Sequence, residues 1–180
     1  MNREAFKYAP YYCEENVWHL CQEKEFRPYD RNVVIISNEN HSCALWHQRA
    51  GIAPGEPIFW DYHVVLLYKN NGWKVYDLDS DLPTPTPFAD YLMETFKEGA
   101  VPEQYRSMFR VIDADEFVKV FSSDRSHMLS ADGRWKVEPP SWPAIVRNDE
   151  SNLMELIDMR NKSIGQLMDL FQFEVCFTME

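Results

Sequence analysis

His63-Val64-Val65-Leu66-Leu67-Tyr68-Lys69-Asn70-Asn71-Gly72-Trp73-Lys74-Val75-Tyr76-Asp77-Leu78-Asp79 is the stretch whose reading decides the fold. Two runs rich in β-branched and aromatic residues flank Asn70-Asn71-Gly72, where glycine supplies the left-handed backbone a tight reversal needs, so the stretch predicts a β-hairpin. Its first strand, residues 63–68, is apolar without alternation, the pattern of a strand covered on both faces. Loop length decides which side chains share a face. With a three-residue loop, Lys69 faces Trp73, Val65 faces Asp77 and His63 faces Asp79. His63, Val65, Asp77 and Asp79 then share a face, with Asp77 diagonal to His63 at about 7–8 Å between backbones. A two-residue turn would instead pair His63 with Ser80 and send Asp77 to the opposite face. The hairpin by itself leaves Asp77 and Asp79 as equal candidates for a partner of His63.

Working outward, Asn32-Val33-Val34-Ile35-Ile36-Ser37 reads as a strand, followed by Ala44–His47 and, past a Pro/Gly turn at Ala53–Pro57, Ile58–Trp60. These are expected to be short strands of one sheet. Toward the N-terminus, Cys13, Val17, Leu20 and Cys21 recur at i, i+4, i+7 and i+8, which places Cys13 in the first turn of a helix. Toward the C-terminus, Pro83, Pro85 and Pro87 form an extended stretch. Helical patterns follow at Phe88–Lys97, Asp115–Phe121 (entered through the Asp113–Asp115 capping region) and Asn152–Met159, with a strand at Phe109–Ile112. Pro139-Pro140 reads as a surface loop. No internal repeat or long linker divides the chain, so residues 1–180 are expected to form a single α+β domain.

Composition narrows the function classes. Apolar residues make up 45% of 180 residues and aromatics 14%, with 6 Gly and 11 Pro, which excludes collagen-like and disordered chains. Lys plus Arg is 18 against 29 Asp plus Glu, a net charge of −11 that repels phosphate backbones and anionic lipids, so neither nucleic acid nor a membrane is an expected partner. Met1–Lys7 has no apolar core of a secretion signal, and no run approaches the ~18 apolar residues of a membrane span, so a soluble, cytoplasmic protein is expected. Cys13, Cys21, Cys43 and Cys176 form no CxxC pair, which predicts free thiols in a reducing compartment. His41, Cys43 and His47 lack the second half of a zinc site, and no metal is expected.

Cysteine, histidine and aspartate in one small domain raise the question of a thiol nucleophile with a base and an orienting acid. Cys13 is the favoured thiol, because unpaired N–H groups at a helix start stabilise a thiolate. Glu14 and Glu15 oppose this, so a nearby imidazolium would have to supply most of the activation. Cys21, two turns on and on the apolar face, reads as core. His63 is the favoured base, although a histidine in a buried strand is also commonly a satisfied core residue. His127, within Ser123-Asp124-Arg125-Ser126-His127-Met128, is the rival base, the plainer reading there being a surface ion pair of Asp124 and Arg125.

Six motifs in order over roughly residues 12 to 143 change this balance. They are Tyr12-Cys13-Glu14-Glu15-Asn16-Val17-Trp18, Ile36-Ser37-Asn38-Glu39, Trp60-Asp61-Tyr62-His63-Val64-Val65-Leu66-Leu67, Tyr76-Asp77-Leu78-Asp79, Phe109-Arg110-Val111-Ile112 and Ser123–Met128. On them the chain closely resembles the protein N-terminal glutamine amidohydrolases. The resemblance implies a catalytic triad of Cys13, His63 and Asp77, choosing Asp77 over Asp79. It implies an α-β-α sandwich with a largely antiparallel central sheet, related to transglutaminase-like and papain-like cysteine enzymes. The implied activity is deamidation of an N-terminal glutamine to glutamate with release of ammonia, through a cysteine thioester and without a cofactor, as a step of the N-degron pathway. Implied partners are proteins or peptides with a free N-terminal Gln and other N-degron components, met by a monomer in the cytoplasm and the nucleus. Glu39, Asp61 and Asp124 lie in matched motifs and are candidates for substrate binding. Two other readings share these residues: another transglutaminase-like Cys-His-Asp acyl-transfer enzyme, and a non-catalytic module that binds peptide N-termini, against which an intact Cys13, His63 and Asp77 argue.

Overall fold

The hairpin closes through a three-residue loop. In the computed structural model, which describes residues 5–53 and 55–178, Lys69 pairs with Trp73 and Leu67 with Val75, while Asn71 and Gly72 take φ values of 51° and 95°. Met1–Glu4, Met179–Glu180 and Pro54 of the expected Ala53–Pro57 turn lie outside the described residues. In chain order the elements are α1 (Cys13–Leu20), β1 (Arg31–Ser37), β2 (Cys43–Leu45), β3 (Ile58–Trp60), β4 (His63–Lys69), β5 (Trp73–Tyr76), β6 (Thr86–Pro87), α2 (Phe88–Thr95), β7 (Met108–Asp113), α3 (Ala114–Val120), α4 (Leu153–Ile157), β8 (Gln166–Met168) and α5 (Leu170–Thr178). The ladder of β4 and β5 ends at Leu66 and Tyr76, so Asp77 and Asp79 lie just past the strand and not inside it, as a strand through Asp79 would have had them.

Six strands form one sheet in the order β6-β5-β4-β1-β7-β8, with every neighbouring pair antiparallel. Alternation along the strands divides their apolar side chains between two cores. Val33, Ile35, Val64, Leu66 and Ile112 pack with Val17, Leu20, Phe117 and Leu156 of α1, α3 and α4. Val34, Ile36, Val65, Leu67 and Val111 pack with Tyr91, Leu92, Phe173 and Phe177 of α2 and α5. Helices therefore cover both faces, which is why β4 is apolar at every position from 64 to 67. Each such aliphatic side chain, removed from water, contributes about 1.5–3 kcal/mol before entropy is charged against it. Among the described residues no helix is long and apolar enough to cross a membrane.

Two expectations need correcting. β2 and β3 do not join the main sheet: they pair with one another, Cys43 with Trp60, as a separate ribbon. The reason is that both edges of β1 are already taken, by β4 on one side and β7 on the other, so the segments that follow it find no free backbone there. The C-terminal β8 and α5, which the strand and helix patterns above do not include, complete the sheet and the second core. Gly165 makes this docking possible: at φ 65° a Cβ would stand 2.6 Å from the Val111 carbonyl oxygen. Arg110, fully buried within β7, holds the segment between α4 and β8, its guanidinium donating to the carbonyls of Leu156, Asp158, Asn161 and Ile164. The helices are also trimmed: α2 stops at Thr95, where Phe96 turns extended, and α4 at Ile157. α3 begins where its cap requires, with Asp113 Oδ1 accepting from the N–H groups of Asp115 and Glu116 at 2.9 Å.

Candidate active site

Cys13 is the first residue of α1, and the helix start is braced on three sides. The Asn16 side chain brackets Ala9, accepting from its N–H at 2.9 Å and donating to its carbonyl at 2.8 Å. Glu15 accepts two bonds from Arg125, at 2.7 and 2.8 Å, and a third from the Trp142 indole at 2.6 Å. A buried carboxylate answered by a bidentate guanidinium is fixed in orientation as well as charge. The amphipathic pattern puts only Cys13, Val17, Leu20 and Cys21 inward; Glu14, Glu15 and Asn16 are buried too, because partners from distant segments meet them.

His63 opens β4, and its Nε2 lies 2.9 Å from Asp77 Oδ1. Three further donors converge on Asp77: the Asp79 backbone N–H at 2.9 Å, the Tyr91 hydroxyl at 2.8 Å and the Gln48 side-chain amide at 3.3 Å. Trp60 stacks on the imidazole at 5.8 Å and 14°, and its indole donates to Gln48 Oε1 at 3.2 Å. Burial alone would pull the His63 imidazolium down, yet Asp77 reverses this and the net shift is upward. For Asp77 the order is the same: burial pushes its carboxyl up, and His63 with the other donors turns the net shift downward. Asp77 thus occupies Nε2 and strengthens the ring as a proton acceptor, with Nδ1 as the ring nitrogen left for chemistry.

Cys13, Trp60, Tyr62, His63, Asp79 and His127 are among the residues lining a cavity of about 290 Å³. Burial, then the charges of Glu14 and Asp79, push the Cys13 thiol up, with only the Val64 backbone N–H working against them. The sulfur therefore does not ionise alone here; its proton needs a base on the same wall.

A profile of the N-terminal glutamine amidase family matches residues 8–177. The chain belongs to that family. A Bos taurus protein N-terminal glutamine amidohydrolase is 43% identical over 166 residues, covering 87% of this chain and 79% of its own. The Homo sapiens protein of the same name is 41% identical over 169 residues, 89% and 82% of the two chains, and the one from Drosophila melanogaster 43% over 167 residues, 88% and 80%.

In this member of the N-terminal glutamine amidase family a second polar cluster sits beside the thiol. Glu14 Oε2 lies 3.7 Å from the Cys13 sulfur and accepts from the Tyr62 hydroxyl at 3.0 Å. The Tyr62 oxygen lies 3.2 Å from His127 Nε2, and that nitrogen 3.6 Å from Glu14 Oε1. Burial raises the Glu14 carboxyl to about 7 and lowers His127. His127 is therefore no surface residue, and Arg125 pairs with the buried Glu15, correcting the expected surface pair with Asp124.

The remaining candidates separate clearly. Asp61 lines the reactive cavity and caps the Tyr62 N–H at 3.0 Å. Glu39 lies elsewhere, lining depressions of about 610 and 680 Å³ beside β7 and β8. Asp124 is exposed, caps Ser126 at 2.9 Å and is not among the lining residues. Gln48 and Tyr91, which position Asp77, carry no motif that sequence reasoning could have read, since their role exists only once β5 and α2 meet. His63, Asp77 and Asp79 bring one donor atom each within 4.8 Å of one another, a spacing that admits a cation. Two of the three are already joined, His63 Nε2 to Asp77 Oδ1, and Asp79 Oδ1 accepts from the Tyr8 hydroxyl at 2.6 Å.

Proposed function

We propose that this chain hydrolyses the side-chain amide of an N-terminal glutamine through a thioester on Cys13. The observation that carries the reading is a thiol and an Asp-held imidazole on one cavity wall, in a chain belonging to the N-terminal glutamine amidase family. The Cys13 proton passes to His63 Nδ1 as the sulfur attacks the carboxamide carbon. The tetrahedral oxyanion is met by the Cys13 backbone N–H, which at the first position of α1 has no partner within the helix. The imidazolium returns its proton to the amide nitrogen, the C–N bond breaks and ammonia leaves. Water, deprotonated by the same imidazole, then attacks the thioester carbon; the C–S bond breaks, releasing N-terminal glutamate and the thiol. Asp77 keeps Nε2 protonated throughout, so that Nδ1 presents its lone pair to the sulfur.

The nucleophile at a helix start against an antiparallel sheet carrying His and Asp supports kinship with transglutaminase-like cysteine enzymes. The resemblance implies work as a monomer in the cytoplasm and nucleus, with the product, a chain beginning with glutamate, passing to N-degron recognition. The test is ammonia release from a Gln-starting peptide set against Asn-starting, acetylated and internal-Gln peptides. The Gln-starting peptide alone should be turned over well, and Cys13→Ala should abolish release in a folded protein. Comparable use of internal and N-terminal glutamine, or release by Cys13→Ala, would overturn the reading.

A further inference from the structure

Asp79 is a second carboxylate on the wall of the reactive cavity, and the triad does not use it. It is 7% exposed, its Oδ1 accepts from Tyr8 at 2.6 Å, and among the described residues Oδ2 accepts no hydrogen bond. No lysine or arginine of the described residues forms an ion pair with it. Arg49 is nearby, but it donates to the Leu78 carbonyl at 3.3 Å and lies over the Tyr8 ring at 5.4 Å. The charges of His63 and Arg49 also favour its ionised form, but His63 is paired with Asp77 and Arg49 makes no ion pair with it, so burial still leaves this carboxylate with room for a cation of its own.

Its position says which cation. A second cavity, about 220 Å³, is lined by Tyr8, Pro10, Arg49 and Ala50 and shares Tyr11, Trp60 and Asp79 with the reactive one. Asp79 thus stands where the two meet. A glutamine at a chain start branches at its Cα: the side chain goes to the thiol, the following residues leave by another path, and the ammonium is the third branch. An extended glutamine holds its α-nitrogen about 5 Å from the amide carbon. Adding an ion-pair contact of about 2.8 Å puts the matching anion within roughly 8 Å of the attacked carbon. Asp79 lines the same cavity as Cys13 and brings a carboxylate oxygen within 4.8 Å of a His63 ring nitrogen. Asp61, the other acid on the wall, is exposed to water that screens it, and Glu14 is not among the lining residues.

We propose that Asp79, at the junction of the two cavities, binds the α-ammonium of the substrate and thereby confines the enzyme to glutamine at a chain start. This rests on the amidase reading and adds the residue that recognises the free amine. An internal glutamine brings a neutral amide and more chain to the place where Asp79 and Tyr8 close the site.

The experiment compares wild type with Asp79→Asn on three peptides of one sequence: free N-terminal Gln, the same peptide acetylated, and its α-hydroxy analogue. Wild type should prefer the free amine over both by at least about 100-fold in kcat/KM. In Asp79→Asn that preference should collapse to within about fivefold, with the loss on the free-amine peptide falling mainly on KM. The rate at which iodoacetamide alkylates Cys13 should not fall below wild type, because removing the Asp79 charge eases ionisation of the thiol, and a loss of reactivity would show the thiol displaced. Tyr8→Phe, which leaves the carboxylate in place, should keep the preference for the amine. Full selectivity in Asp79→Asn, or its collapse in Asp61→Asn instead, would overturn the assignment. Absence of ammonia release by wild type from the free-amine peptide would instead sink the amidase reading itself.

Discussion

Replacing Asp77 by Asn tests the catalytic geometry most severely, because four donors converge on that carboxylate. An asparagine has one accepting oxygen and an NH2 that cannot accept. If the oxygen takes the Oδ1 position, His63 and the Asp79 N–H keep their partner, while Gln48 and Tyr91 face an NH2. Tyr91 can rotate its hydroxyl to accept, but Gln48 is held by Trp60 and keeps only its 3.5 Å bond to the Trp46 carbonyl, at about 1–3 kcal/mol. If the NH2 faces His63 instead, Nε2 must become the acceptor, the ring proton moves to Nδ1, and the nitrogen proposed to take the thiol proton has no lone pair. Either way the imidazolium loses its counter-charge. Turnover should fall by about 10³- to 10⁴-fold, with a Tm loss of about 2–4 °C for each kcal/mol of stability lost. Since Asp77 is what raises His63 against burial, and His63 must be unprotonated at Nδ1 to take the thiol proton, the acid limb of the pH–rate profile should move to lower pH. Ammonia release across pH, with thermal unfolding alongside, measures all three. Turnover within tenfold of wild type in a folded Asp77→Asn protein would refute the assignment of Asp77.

Glu14 should make stability depend on pH. Its folded carboxyl titrates at about 7, against about 4.3 in an unfolded chain, so the folded state holds the proton more tightly. The stability this contributes is present below pH 4 and lost as pH rises to 7. Glu14→Gln should therefore gain about 3 kcal/mol relative to wild type between those limits, measured by urea unfolding; an unchanged difference would place the charge elsewhere. Arg110→Met should leave four carbonyls without their donor and cost about 3–4 kcal/mol, a Tm drop of roughly 10 °C, with little effect on kcat in the folded fraction; a neutral substitution would mean that the segment between α4 and β8 holds itself. Alkylation of Cys13 should track loss of activity, because Cys13 opens onto a cavity whereas Cys21 and Cys43 line none of those described and are pushed up to about 12 by burial; alkylation of the half-buried Cys176 should leave activity intact. A chelator should leave turnover unchanged, whereas inactivation reversed by added metal would reassign His63, Asp77 and Asp79.

What could be read along the chain is what depends on near neighbours in sequence. Asn70-Asn71-Gly72 marks the hairpin, because only residues within the loop must adopt positive φ, although the three-residue loop that sets its register came from the structure; the unbroken apolar run 64–67 states that both faces are covered. The spacing of Cys13, Val17, Leu20 and Cys21 puts the thiol at a helix start for the same reason. Choosing between Asp77 and Asp79 needed more than the alternation of side chains. The strand ends at Tyr76, and Gln48 and Tyr91, from the residues after β2 and from α2, arrive at Asp77 while Tyr8 arrives at Asp79. Glu15 reads only as a helix-start charge opposing a thiolate until Arg125, 110 residues away, meets it in the interior. β2 and β3 look like strands of the main sheet until β7 occupies the edge they would have used. Periodicity reports which faces are apolar, a property of each segment alone. A buried polar group is stable only with its partner present, and that partner is supplied by a different segment once the chain has folded.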